Sequence, residues 1–348
     1  MSIDQQTLER AMRRALEIAA TPGVPPGPNP RVGCVLLGPD GAEIAEGFHR
    51  GAGTPHAEAA ALATAYELGG PDAARGATAV VTLEPCNHTG RTGPCSRALI
   101  GAGVAEVVFA QPDPNPLAAG GSATLRGAGV EVRTGLLEHE ARRLNRAWTF
   151  ALEHGRPFVT WKVAATLDGR SAAADGTSKW ITGEQARRDV HLLRAGCDAI
   201  LVGTGTVLAD DPALTVRDEI GELVDHQPLR VVLGERELPA GARVLDDAAQ
   251  TLHLQTRDVA AAVVELHEAG VQHVFLEGGP TVAAAFLAAG LVDEVVAYVA
   301  PKLLGSGRSA VADLGIESIT GALEIEVEDV VVLGHDVRIT GRPQRRKD

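Results

Sequence analysis

Cysteine is scarce in this chain of 348 residues, which has four. That excludes the disulfide framework of a small secreted domain and fits a reducing, cytoplasmic setting. No apolar run approaches the ~20 residues that cross a bilayer, and the N-terminus carries no leader-like apolar core. Basic residues are outnumbered, 32 Lys and Arg against 45 Asp and Glu, for a formal net charge of −13. A general nucleic-acid binder needs a basic surface and is excluded; a phosphorylated small substrate, held by a local Arg cluster, is not. There is no tandem repeat, no low-complexity segment and no Gly-x-Gly-x-x-Gly run, so the usual dinucleotide fingerprint is missing. What is present is length enough for two domains and a hydrophobic content of 45%, enough for real cores.

Leu8, Ala11, Met12, Ala15 and Ala19 recur at helical spacing after Asp4, a candidate N-cap, and before Pro22. Strands are expected at 31–37, 77–83 and 104–110, and helices at 56–68, 95–100 and 137–152. His154-Gly155-Arg156-Pro157 reads as a boundary, giving domains 1–153 and 154–348. Beyond it, strands are expected at 158–164, 198–202, 229–233, 273–276 and 294–299, with helices at 184–195 and 259–269. Both halves are α/β. Cys34 and Cys197 lie in apolar contexts and read as small core residues.

The chemistry is concentrated in three short pieces of the first half: His56-Ala57-Glu58, Pro85-Cys86 and Cys95. A His, a Glu two residues on, and two later Cys behind a Pro form the pattern of a zinc deaminase. His56, Cys86 and Cys95 would be the ligands; three protein ligands leave zinc's fourth position open. Glu58 is then the proton shuttle between the attacking water and the leaving amine. Eight residues separate the cysteines where such patterns usually have two, and Pro94 stiffens the loop. Alone, His56 or either Cys would read as an ordinary core residue; the combination carries the inference.

The second half has Gly-rich turns instead of a His/Cys cluster. Val202-Gly203-Thr204-Gly205-Thr206 follows a strand, and Leu276-Glu277-Gly278-Gly279-Pro280-Thr281 lies between a strand and a helix. Such turns admit a phosphate to backbone N–H groups at a helix start, although a plain tight turn is the simpler reading of each. Arg187, Arg188, Arg194 and Arg217 could serve phosphates; for Arg187 and Arg188 a solvated helix face is simpler.

In order along the chain stand Asn29-Pro30-x-Val32-Gly33, His56-Ala57-Glu58, LEPCNHTGRTGPC, Asp113-Pro114-Asn115-Pro116, Lys162-x-Ala164-x-x-Leu167-Asp168-Gly169, Trp180-Ile181-Thr182-Gly183, Asp210-Asp211-Pro212-x-Leu214-Thr215-x-Arg217 and Glu277-Gly278-Gly279. This series resembles the RibD family of bifunctional riboflavin-biosynthesis deaminase/reductases over almost the whole chain. The resemblance implies a cytidine-deaminase-like α/β/α domain followed by a dihydrofolate-reductase-like α/β domain, with Zn2+ and NADPH as cofactors. It implies that 2,5-diamino-6-ribosylamino-4(3H)-pyrimidinone 5′-phosphate is deaminated, and that the ribosyl group of the product is then reduced to ribityl. By the same resemblance Asn29 contacts the base, and His88 and Arg91 hold the ribose phosphate. Ala164, Trp180, Thr206 and Asp210, with Gly279, Pro280, Thr281, Val282, Ala283, Ala284 and Ala285, take the cofactor. Ser178, Arg194, Leu214, Arg217 and Glu277 take the substrate, and Lys162 and Asp168 are supporting polar residues. A homo-oligomer is implied as well.

Some positions depart from the family pattern. Arg91 stands where many relatives have Lys. Trp148 replaces a Phe, read as a packing change. The run after Pro116 lacks the common Gly-basic-Gly, and Gly234-Glu235 replaces an Asp and a small polar residue near the cofactor. Two rival readings have their own signatures. A nucleoside or nucleic-acid deaminase would act on cytidine or tRNA. A structural zinc site beside a ligand sensor would need a fourth protein ligand, for which His49 and His88 are the candidates.

Overall fold

The structure, a computed structural model, describes residues 3–25, 27–89 and 93–344. The chain forms two compact units, Met1–His154 and Gly155–Asp348.

The first unit runs α1 (Gln5–Ala19), β1 (Gly33–Leu37), β2 (Glu43–Phe48), α2 (Ala57–Gly69), β3 (Thr78–Leu83), α3 (Cys95–Gly101), β4 (Glu106–Gln111), α4 (Gly121–Gly127), β5 (Glu131–Thr134), α5 (Glu138–Leu144) and α6 (Arg146–His154). Its five strands lie in the order β2-β1-β3-β4-β5. β1 is antiparallel to β2 and β3, whereas β3, β4 and β5 are parallel. The central strands are buried along their whole length, so successive side chains feed opposite cores. Cys34, Leu36, Ala79, Val81, Val107 and Phe109 pack with α2, α3 and α4. Val35, Leu37, Val80, Val108 and Ala110 pack with α1 and α5. A helical layer on each face gives the expected α/β/α sandwich. In α1 the Asp4 carboxylate accepts the Thr7 N–H, and the apolar stripe read from the sequence is buried.

The helix expected over 137–152 is instead two helices, interrupted at Asn145. Asn145 is buried, and its amide copies a strand partner: Oδ1 accepts the Arg31 N–H at 2.8 Å and Nδ2 donates to the Arg31 carbonyl at 2.9 Å. Hydrophobic periodicity cannot reveal a break made for a partner 114 residues away.

The second unit runs β6 (Phe158–Thr166), β7 (Arg170–Ala172), α7 (Glu184–Ala195), β8 (Ala199–Gly203), α8 (Thr204–Asp210), β9 (Leu229–Leu233), β10 (Thr251–Leu254), α9 (Val259–Glu268), β11 (His273–Leu276), α10 (Pro280–Ala288), β12 (Glu294–Ala300), β13 (Arg308–Ser309), β14 (Ile325–Leu333) and β15 (Asp336–Pro343). Eight strands form one sheet in the order β10-β9-β8-β11-β6-β12-β15-β14, and β13 pairs with β7 separately. The strands from β10 to β12 are parallel and β15 and β14 are antiparallel to what they join. After β8 the chain builds outward to β9 and β10; from β11 it crosses to the other side. The carboxyl ends of β8 and β11 therefore flank a switch point, where open α/β sheets bind ligands. Among the described residues no helix is long and apolar enough to cross a membrane. Cys34 and Cys197 are buried thiols, as the sequence implied.

Asn145→Ala should destabilise the first unit by about 1–3 kcal/mol, because it strands the Arg31 N–H and carbonyl. Urea denaturation of the mutant beside the unmodified protein measures it.

Candidate active sites

β3 ends at Leu83 and delivers Cys86 three residues later; α2 opens with His56 as its N-cap, and Cys95 is the first residue of α3. His56 Nδ1 lies 3.5 Å from Cys86 Sγ and 3.4 Å from Cys95 Sγ, and the three donor atoms fall within 4.8 Å of one another. Tetrahedral zinc, with bonds of about 2.0 Å to N and 2.3 Å to S, spaces such donors about 3.5 Å apart. The donor set and its geometry thus fit zinc. Among the described residues no fourth His, Cys, Asp or Glu completes the cluster. His49 cannot join it, since its Nδ1 faces the Pro55 carbonyl at 3.0 Å and its Nε2 faces Asn29 Nδ2 at 3.0 Å. An open fourth position belongs to catalytic rather than structural zinc.

The electrostatics agree. The Cys95 N–H donates to Cys86 Sγ. The hydrogen bond from the Cys95 thiol, with those from His56 and the backbone, brings Cys86 down to about 4 against the cost of burial. Cys95, donating to that thiolate and desolvated, is pushed up. Glu58 is buried in the first turn of α2, and desolvation raises its carboxyl to about 7. A carboxyl that titrates near neutrality can both take and give a proton.

These groups open on a cavity of about 520 Å³, lined also by Asn29, His49, His88, Asp113, Asn115 and Trp148. Asn29 and His88 are thus brought beside the metal cluster; Arg91 lies outside the described residues. Burial, opposed by the Asn115 N–H, lifts Asp113 to about 6. Burial likewise lowers His49. Trp148, expected to be a packing change, is a wall of this cavity as well as a buried side chain. Of these, His49 was visible in the sequence only as a spare zinc ligand, and Asp113 and Asn115 only as part of a recurring run. A Cβ on Gly121 would overlap the Pro85 carbonyl oxygen, so α4 starts directly against the segment that carries Cys86.

In the second unit the Gly-rich turns fall at the switch point. Gly203 and Gly279 are the N-caps of α8 and α10, and neither helix start has a side-chain cap. Its first-turn N–H groups are therefore open to an anion. Gly203 and Gly278 let Val282 of α10 approach the end of β8: added Cβ atoms would lie 2.6 and 3.0 Å from it. Thr206 and Gly279 face each other, Oγ1 standing 3.6 Å from where a Gly279 Cβ would be. This cradle fits cofactor phosphates.

Beside it, Arg194 holds Glu277 with two hydrogen bonds, and Lys162 Nζ stands 4.0 Å from the same carboxylate. Burial would raise the Glu277 carboxyl, but the Arg194 and Lys162 charges outweigh it and hold it below the usual range. Burial lowers Lys162. The Arg194 fork is filled by Glu277 and the Thr215 carbonyl. Arg217 is exposed, with Nη1 on the Gly221 carbonyl and its N–H on His191 Nδ1. Leu214 is buried at a positive φ of 50°. Ala164 lies half-buried on β6, Ser178 in the following loop, and Asp210 exposed at the last residue of α8. Trp180 is exposed, and the Arg187 guanidinium lies 4.4 Å above its ring. Arg187, read as a solvated face, has this specific partner. Asp168 accepts the Leu304 and Gly305 N–H groups, a structural use. Glu235, a possible repulsive charge toward the cofactor, is paired with Arg257 at 2.9 Å.

Two family models match the chain: the cytidine and deoxycytidylate deaminase zinc-binding region over residues 5–111, and the RibD C-terminal domain over residues 157–339. The riboflavin biosynthesis protein RibD of Mycobacterium tuberculosis is 47% identical over 342 residues, 98% of this chain and 99% of its own length. The chain belongs to the RibD family. RibD of Escherichia coli K12 is 41% identical, over 94% of this chain and 97% of its own. Among solved structures, Acinetobacter baumannii RibD shares 40% identity at a TM-score of 0.90, covering 98% of this chain and all of that one. The Thermotoga maritima deaminase/reductase shares 35% at 0.90, covering 97% and 99%. As a RibD protein the chain is a bifunctional riboflavin-biosynthesis enzyme with a zinc-binding deaminase domain and an NADPH-using reductase domain.

Gly121→Ala should push Pro85–Cys86 off position and weaken zinc retention against a competing chelator, with NADPH-dependent reduction intact. Glu277→Gln should cost the second unit about 1–3 kcal/mol at neutral pH by leaving two partly buried cations uncompensated. The carboxyl is lowered on folding, so this contribution is complete above its ordinary value of 4.5 and is lost as pH falls through the depressed one. The gap in stability between Glu277→Gln and the unmodified protein should therefore close in acid, as thermal melts across pH would show.

Proposed function

We propose that the first unit deaminates 2,5-diamino-6-ribosylamino-4(3H)-pyrimidinone 5′-phosphate and that the second reduces the ribosyl group of the product. The observation that carries the reading is the placement of Glu58, with its raised pKa, in one cavity with His56 and Cys86 of the cluster that Cys95 completes. His56, Cys86 and Cys95 would hold the zinc, which when bound supplies Lewis acidity that brings the pKa of water toward neutrality. Glu58 takes the proton from the attacking water and delivers it to the leaving ammonia. Asn29 orients the base, and His88 with Arg91 holds the ribose phosphate.

In the second unit Gly279, Pro280, Thr281, Val282, Ala283, Ala284 and Ala285 form the phosphate cradle, with Ala164, Trp180, Thr206 and Asp210 as further cofactor contacts. NADPH, when bound, supplies the hydride. Ser178, Leu214 and Arg217 position the substrate, and Arg194 holds Glu277 toward it. The reading extends to a cytoplasmic homo-oligomer without nucleic-acid partners, in keeping with the net charge of −13.

The test is ammonia release and NADPH oxidation measured together on zinc-loaded protein. Ammonia should appear without NADPH, and NADPH should be consumed only after deamination. Glu58→Gln should lower ammonia release about 10²–10⁴-fold, and zinc chelation should do the same, while supplied deaminated product is still reduced. Ammonia release that survives in Glu58→Gln would refute the assignment.

A further inference from the structure

His49 is buried at the end of β2, 5% exposed, and enters no step described above. Its hydrogen bonds fix where its proton sits. Nδ1 faces the Pro55 carbonyl at 3.0 Å and, at 3.4 Å, Thr54 Oγ1. The Thr54 hydroxyl donates its own proton to the Gly51 carbonyl at 2.7 Å. Both atoms beside Nδ1 are therefore acceptors, and Nδ1 must carry the hydrogen. A neutral imidazole then has a bare lone pair at Nε2. The atom facing that lone pair, at 3.0 Å, belongs to the Asn29 amide. Only the NH2 end of the amide can satisfy it; the carbonyl end would set one lone pair against another.

The consequence is directional. One Nδ2 hydrogen goes to His49, which leaves Asn29 Oδ1 as the amide's acceptor end beside its second N–H. Asn29 lines the same cavity as Glu58. The cavity therefore offers an acceptor at Oδ1 in a fixed direction, which a ligand meets with a donor.

We propose that His49 is a positioning residue whose Nδ1–H tautomer locks the Asn29 amide, so that Oδ1 reads a ring N–H flanking the amine-bearing carbon of the substrate. The inference rests on the deaminase reading above and adds its specificity. In a 2-amino-4(3H)-pyrimidinone, C2 carries the amine and lies between bare N1 and N3–H. N3–H meets Asn29 Oδ1, and bare N1 lies on the other side of the amine-bearing carbon. In cytosine the amine-bearing C4 is flanked by bare N3 and by a carbon, so no such donor exists. The pair His49–Asn29 thus selects aminopyrimidinones over cytosines.

The tautomer can be read directly by 15N NMR of the zinc-loaded, full-length protein, without substrate. Nδ1–H is expected; an Nε2–H signal for His49 would overturn the inference on its own. Kinetics supply the second arm, using the diaminopyrimidine ribosyl phosphate. An Asn side chain at position 49 can still reach Pro55 but not Asn29, whereas Gln can place an oxygen where Nε2 was. His49→Asn should raise the deaminase KM about tenfold, the worth of one hydrogen bond to a fixed partner, and His49→Gln should restore most of it. Asn29→Ala and His49→Asn together should be no worse than Asn29→Ala alone. Zinc content and thermal melts of the same preparations control for folding of the first unit. Additive losses, or a Gln variant as weak as the Asn one, would leave His49 a structural residue only. Unmodified protein that releases no ammonia would refute the underlying deaminase reading instead, while the tautomer stayed as observed.

Discussion

Two sulfurs and an imidazole nitrogen crowded within 4.8 Å form a cluster that a cation satisfies and little else does. Much of the first unit serves to hold it. The helix starts at His56 and Cys95 put backbone N–H groups near the sulfurs, favouring a thiolate. The Gly121 approach to Pro85 seats α4 against the strand end that carries Cys86. The same burial that keeps the thiols in register desolvates Glu58 and raises it to about 7. A metal-fitting cluster and a raised carboxyl are two results of one enclosed strand edge.

The second unit solves a different problem with similar means. Its chemistry needs anions and cations at the carboxyl edge of a parallel sheet. Glu277, Arg194 and Lys162 share that edge under cover. One carboxylate faces two cations, and its own ionisation is favoured by both neighbours although burial opposes it. The glycines beside it have no such electrostatic role. They matter by absence, since a Cβ at Gly203 or Gly278 would keep α10 from closing over β8.

Much of this was legible from residue order. Asp4 and the stripe from Leu8 to Ala19 specify a capped, one-sided helix, and the structure has it. Strands at Leu229–Leu233 and His273–Leu276 and the helix at Glu184–Ala195 follow from short apolar runs and periodicity. Edge strands β2 and β5 did not stand out, because an edge strand buries too few residues to show a run: β5 reads Glu-Val-Arg-Thr with none fully buried. The break at Asn145 was hidden for the opposite reason, since its cause is an amide bonded to Arg31, far away in the chain.

The sequence by itself determined the candidate zinc-site residue types, the carboxyl of Glu58 and the Gly-rich turns, because zinc chemistry and tight backbone approach accept few residue types at fixed spacing. Tertiary structure decided which groups meet. It made Trp148 a cavity wall, occupied the Arg194 fork with Glu277, put Arg187 over Trp180, and turned His49 from a spare ligand into the partner of Asn29. Each of these depends on the direction of a side chain across a gap bridged only by folding. Residue order carries spacing along the chain, but the angle at which an imidazole or a guanidinium meets its partner is set by the packing of the elements that hold both.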